Sequence, residues 1–175
     1  MFLEQIIKWL SKILGWEEQV EEPMAPPKPP VVEPTAREIL YKVSVDSLGK
    51  EMSPQDLADD EVACVESLEG VIKKAFGFYV GGKTPILATW IFLDALRKDD
   101  RFEEVSKGQP GDIILCPTGS GNGRIRGHVG ILGNHNIMSN NSYTSLWDAS
   151  FTHETWYQRY EVRGDLDTHI FRIKV

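Results

Sequence analysis

The chain has 175 residues and a formal net charge of −7, from 19 lysines and arginines against 26 aspartates and glutamates. Hydrophobic residues make up 41% and aromatic residues 10% of the chain, which excludes a disordered, collagen-like or membrane-bundle protein. The chain is acidic overall and contains no stripe of basic residues, so we expect no nucleic-acid partner. The two cysteines, Cys64 and Cys116, are too few for a disulfide-stapled scaffold. The length of the chain suits one domain with appendages.

Residues 1–16 are predicted to form an amphipathic leader helix, with apolar residues at spacings of three and four. The segment is too short and too charged to span a bilayer, and it lacks the features of a signal peptide. Two interpretations stay open: an anchor on a membrane surface or partner protein, and a helix docked on its own domain. Residues 17–34 contain six prolines after an acidic start and are interpreted as an extended linker.

Residues 35–175 are predicted to form the folded body, with helices first and an antiparallel sheet afterwards, an α+β arrangement. Thr35 and Glu38 have capping-box spacing, so a helix should begin there and run to about Leu48. Further helices are predicted over 62–76 and from Thr84 to about Leu96, and a short one over 152–160. Strand-like runs follow at 112–116, 128–132, 136–139 and 168–175.

Cys64 is the candidate nucleophile because it lies at the start of the second helix of this body. A helix N-terminus has partial positive charge and unpaired amides, which favour a thiolate and can receive an oxyanion. Cys116 ends a strand before Pro117 and is interpreted as a packing thiol.

His128 is the candidate general base, since it opens a strand directly after Gly127. If the turn after Leu132 is tight, Leu132 pairs with Ile137 and Asn141 lies opposite His128. A one-residue bulge would bring the neighbouring residue to the same face instead. The residue that orients the imidazole therefore stays open among three candidates on the returning strand: Ser139, Asn140 and Asn141.

These motifs resemble a known enzyme group. The motifs occur in a fixed order: Cys64, the run Pro110-Gly-Asp-Ile-Ile, a glycine-rich loop, Gly127-His128-Val-Gly-Ile-Leu and the asparagine-containing strand. This order is similar to that of the papain-like peptidoglycan hydrolases of the NlpC and CHAP groups. The closing part of the chain looks most like lysins of bacteriophages and bacteria. The resemblance spans 59–175 and implies a papain-like fold, with Cys64 as nucleophile, His128 as base, Asn140 or Asn141 as orienting residue and no cofactor.

Two positions depart from the pattern of this group. The sequence around Cys64 is Ala-Cys-Val-Glu, where NlpC enzymes typically have Asp-Cys-Ser. Ser139 stands where CHAP domains often have a glutamate.

The resemblance implies a cysteine-dependent hydrolase that cleaves an amide bond of peptidoglycan, as an endopeptidase or an N-acetylmuramoyl-L-alanine amidase. Alternatives are a non-catalytic wall-binding or adaptor module on the same fold, and a cysteine peptidase or acyltransferase that acts on a protein. We expect a monomeric catalytic domain that acts at the bacterial cell wall, is made in the cytoplasm and is associated with a membrane or a phage particle.

Three residues are candidates for substrate binding. Arg124 and Arg126 lie beside His128 and could attract a carboxylate of a peptide substrate. Trp147 and the aromatic residues after it form either a sugar-binding wall or part of the core. No pair of histidines or cysteines has metal-ligand spacing, so we expect no metal site.

Overall fold

The computed structural model describes residues 2–14, 33–53, 63–120 and 125–175, which divide into two compact units, 1–32 and 33–175. The first unit contains helix α1 (Phe2–Leu14), an amphipathic helix with exposed apolar side chains that include Leu3, Ile7 and Trp9. Of the predicted linker (17–34), residues 17–32 lie outside the described residues. In the ranges that are described, no helix is long and apolar enough to cross a membrane.

The second unit is an α+β body, as predicted. Its helices are α2 (Ala36–Asp46), α3 (Cys64–Phe76), α4 (Thr89–Lys98) and α5 (His153–Trp156), which continues into a π-helix (Tyr157–Val162). Its strands are β1 (Phe102–Glu104), β2 (Ile113–Cys116), β3 (His128–Leu132), β4 (Asn136–Asn140), β5 (Trp147–Thr152) and β6 (His169–Ile173). They form one antiparallel sheet in the order β1-β6-β2-β3-β4-β5.

The sheet has a packed layer on each face. Val129 and Ile131 of β3 belong to the core formed with α2 and α3. Leu132 belongs to a second core, which includes Trp156 and Tyr160 from α5 and the π-helix. Successive strand residues point to opposite faces, so the side chain of His128 is on the same face as that of Leu132, away from α3.

Several local predictions are confirmed. Thr35 and Glu38 form the capping box of α2, with the Glu38 carboxylate accepting from the Thr35 amide at 2.8 Å. α3 ends at Gly77, which has φ +82° and donates its amide to the carbonyl of Lys73. Leu132 pairs with Ile137 across the tight turn, as expected.

The predicted start of the third helix at Thr84 is wrong, because α4 begins at Thr89. The reason is a contact between the segment before α4 and a residue of α3. The buried carboxylate of Glu69 in α3 accepts hydrogen bonds from the amides of Val80 (2.7 Å), Gly81 (3.3 Å) and Ile86 (3.3 Å). These bonds hold the segment before α4 in a non-helical path, and burial raises the pKa of the Glu69 carboxyl group.

Candidate active site

Cys64 is the first residue of α3, and its preceding cap residue Ala63 provides no side-chain hydrogen bond. The side chain is only 7% exposed. Three backbone amides, those of Cys64, Val65 and Val129, are directed at its sulfur. These amides lower the pKa of the thiol, but burial raises it more, to about 11.

The amides at the helix terminus favour a thiolate at Cys64, as expected, but burial outweighs this stabilisation. The thiol is neutral at pH 7. The same three amides can stabilise negative charge that develops on the sulfur or on an attacked carbonyl oxygen during a reaction.

His128, the first residue of β3, is packed among aromatic rings. Its ring centroid lies 5.8 Å from that of Phe151 and 5.6 Å from that of Trp156. It also stacks on Tyr160, at 5.6 Å and an interplanar angle of 14°. The imidazole Nε2 is buried and has no hydrogen-bond partner among the described residues.

The pKa of His128 is lowered to about 4, first by burial and then by the positive charge of Arg159, whereas the carboxylate of Asp148 opposes the change. The imidazole is thus neutral at pH 7, like the thiol of Cys64. Sequence analysis missed both Arg159 and Asp148, which come close to His128 through β5 and the π-helix.

Cys64 and His128 line the same cleft, which has a volume of about 260 Å³. Its other walls include Thr89 and Trp90 at the start of α4 and Arg126 and Gly127 before β3. The structure thus brings the two predicted residues to one cavity, although their side chains belong to different layers: that of Cys64 to the α3 layer and that of His128 to the aromatic layer.

A chain of hydrogen bonds connects α4 to the residue before His128. The Thr118 amide donates to the Thr89 hydroxyl oxygen at 2.9 Å, and the Gly127 amide donates to the Thr118 hydroxyl oxygen at 2.8 Å. Gly127 also packs so closely that a Cβ there would overlap the carbonyl oxygen of Cys116 and the amide of Thr118. Gly127 is therefore required for the close approach that positions the start of β3 at the cleft.

The structure shows no hydrogen bond from Asn141 to the imidazole. The Asn141 Nδ2 donates to Asp148 at 2.6 Å, and its Oδ1 accepts from the Tyr143 amide at 2.9 Å, so its side chain stabilises the turn after β4. Asn140 is 3% exposed and pairs with Trp147 of β5.

Ser139 lies on the same sheet face as His128. A Cβ built on Gly130, two residues along β3, would contact the Ser139 Cβ at 3.2 Å. The Ser139 hydroxyl is buried and has no hydrogen-bond partner among the described residues. The choice among Ser139, Asn140 and Asn141 as orienting residue stays open.

The predicted substrate-binding residues have different outcomes. Arg126 is exposed at the cleft, and Arg124 lies outside the described residues. Trp147 is part of the core and not of a wall over the site: it is fully buried, and its indole N–H donates to the Ser44 hydroxyl at 3.1 Å. The aromatic side chains that do surround the candidate base follow Trp147 in the chain: Phe151, Trp156 and Tyr160.

Cys116 is fully buried and pairs with His128 across β2 and β3. Its sulfur lies 3.2 Å from the Thr168 hydroxyl, and burial raises the pKa of its thiol to about 11. Within the described ranges, no group of three or more histidine, cysteine, aspartate or glutamate side chains could hold a metal ion.

Acid should destabilise the protein in part through His128. Its pKa is about 4 in the folded chain and about 6.5 when unfolded, so the unfolded state binds the extra proton between these pH values. We expect the free energy of unfolding to fall by about 3 kcal/mol more between pH 7 and pH 4 in the wild type than in His128→Gln. Urea unfolding at the two pH values measures this difference, and equal losses would contradict the buried neutral imidazole.

No protein-family model matches this chain, and no curated protein matches it. Among solved structures, it is similar to a chain of the type VI native effector-immunity complex Tae3-Tai3 from Ralstonia pickettii. The two have 12% sequence identity and a TM-score of 0.49, and the match covers 80% of this chain and 99% of the other.

Proposed function

We propose that this protein is a cysteine hydrolase that cleaves an amide bond of peptidoglycan, with Cys64 as nucleophile and His128 as general base. One observation supports the proposal most: a sulfur faced by three backbone amides shares a cleft with the imidazole at the start of β3. Peptidoglycan as the substrate is inferred from the resemblance of residues 59–175 to the NlpC and CHAP hydrolases.

The reaction begins from two neutral groups, because burial raises the pKa of the thiol and lowers the pKa of the imidazole. The proposal requires the His128 imidazole to reach the Cys64 sulfur from the aromatic layer, through the cleft that both residues line. As the Cys64 sulfur bonds to the amide carbonyl carbon, His128 accepts the thiol proton and the carbonyl oxygen becomes negative. The imidazolium then gives its proton to the amide nitrogen, the carbon–nitrogen bond breaks and the amine leaves. Water, deprotonated by His128, cleaves the thioester to a carboxylic acid and restores the thiol.

In this proposal, residues 35–175 form the hydrolase domain and residues 17–34 a linker to the leader of residues 1–16. The leader anchors the enzyme to a membrane surface or a partner protein through an apolar face that includes Leu3, Ile7 and Trp9. The place of action is the bacterial cell wall.

The rate at which iodoacetamide alkylates Cys64 at pH 7 tests the pairing of the two residues. In a Cys116→Ser background, which leaves one thiol, His128→Ala should slow alkylation about tenfold or more, because the base that removes the thiol proton is gone. Intact-protein mass spectrometry follows the reaction. The matched control is His135→Ala, since His135 lies in the turn between β3 and β4, away from the Cys64 cleft.

A second candidate function is a non-catalytic wall-binding module on the same fold. It is favoured by the buried Nε2 of His128, which lacks a partner among the described residues, and by the use of Asn141 in a turn. For such a module, His128→Ala would leave the alkylation rate of Cys64 unchanged. That result would contradict the proposed pair.

A further inference from the structure

A second, larger cleft adjoins the one that contains Cys64. It has a volume of about 460 Å³ and shares Arg126, Gly127 and His128 with the smaller cleft. The candidate base therefore lies between two cavities: one holds the nucleophile, and the other extends along the end of β4 and the π-helix to Arg159. A substrate attacked by Cys64 can extend past His128 into this larger cleft.

The larger cleft contains two exposed guanidinium groups, those of Arg126 and Arg159, in a chain whose net charge is −7. Among the described residues, no carboxylate forms an ion pair with either of them. Asp148, the acidic residue that acts on His128, instead accepts hydrogen bonds from Asn141 and the Ser150 amide. The two positive charges are therefore available to a ligand.

Arg159 is held in place by the aromatic layer. Its guanidinium lies 5.6 Å from the ring centroid of Tyr160 and 5.9 Å from that of Phe151. Both rings also pack on His128. A planar guanidinium restrained in this way is suited to a carboxylate, which it can bind through two parallel hydrogen bonds.

We propose that the larger cleft is a subsite for a carboxylate group of the wall peptide, bound by Arg159 with support from Arg126. This inference rests on the proposed function, because it assigns the substrate class of the same site. It also connects binding to chemistry. The charge of Arg159 lowers the pKa of His128, so a carboxylate that neutralises this charge makes the imidazole a stronger base when substrate is bound.

Binding to purified sacculi tests the subsite without requiring cleavage. The full-length Cys64→Ala protein is sedimented with native sacculi and with sacculi whose carboxylates have been converted to amides by carbodiimide and ammonia. We expect binding to native sacculi to be about tenfold tighter, and we expect Arg159→Gln in the same background to abolish that difference. Arg159→Lys should restore it in part, since it keeps the charge but not the paired hydrogen bonds.

Arg163→Gln is the matched control, because Arg163 is an exposed arginine near the end of the π-helix that donates to the Gln158 carbonyl oxygen and does not line the cleft. Equal binding to the two kinds of sacculi would overturn the subsite, as would an equal loss in Arg159→Gln and Arg163→Gln. If the wild type cleaves no amide bond but the Arg159-dependent difference is found, the subsite stands and the hydrolase proposal fails. If the wild type cleaves sacculi and the Arg159-dependent difference is absent, the hydrolase proposal stands and the subsite fails.

Discussion

Replacing Cys64 with alanine should lower the release of dye-labelled fragments from purified sacculi by about a thousandfold or more. The variant keeps the cleft and the three amides directed at position 64 but has no atom to form the thioester. Loss of the nucleophile from a catalytic unit typically costs several orders of magnitude in rate. The rate of release at pH 7, normalised to folded protein, measures the effect.

Cys116→Ala is the matched control for this experiment. Cys116 is fully buried against Thr168, so its loss should cost some stability and leave the rate of release within about twofold of the wild type. Equal activity of Cys64→Ala and the wild type would remove Cys64 from the mechanism. Loss of activity in Cys116→Ala with its fold intact would move the nucleophile to the other face of the sheet.

Trp147→Ala should have the largest effect on stability. Trp147 is fully buried between the sheet and α2, and its indole N–H donates to Ser44. Truncating a buried tryptophan leaves a large cavity and removes the hydrogen bond to Ser44, so we expect a loss of about 4 kcal/mol in the free energy of unfolding. Urea titration monitored by circular dichroism measures it.

Tyr143→Ala provides the comparison, because Tyr143 is 95% exposed at the rim of the larger cleft. Its replacement should change the free energy of unfolding by less than about 0.5 kcal/mol. Unchanged stability of Trp147→Ala, together with weaker binding to sacculi, would contradict the buried position of Trp147. It would instead support the interpretation of Trp147 as a substrate-binding residue.

Sequence reasoning succeeded where neighbouring residues determine the structure. The capping box at Thr35 and the end of α3 at Gly77 depend on a few adjacent positions, and the pairing of Leu132 with Ile137 follows from a tight turn. The same reasoning placed Cys64 at the start of a helix and His128 at the start of a strand. Both residues line one cleft because the first residues of α3 and β3 meet there.

The features that were missed depend on contacts between distant segments. Glu69 determines where α4 begins, yet its partners lie 11 to 17 residues away. Arg159 comes close to His128 only because the π-helix covers the sheet. The rise in the pKa of Cys64 could not be predicted from the sequence for the same reason: the helix terminus is a local feature, whereas burial depends on everything that packs around the sulfur.

Mass spectrometry of the fragments released from purified sacculi tests the central claim most directly. The proposal predicts that the wild type produces peptide-containing fragments with a new amine and a new carboxyl group, the products of adding one water molecule to an amide bond. Cys64→Ala should produce none of them. Intact sacculi after incubation with folded wild-type protein, or fragments cut only between sugars, would contradict an amide hydrolase that acts through Cys64.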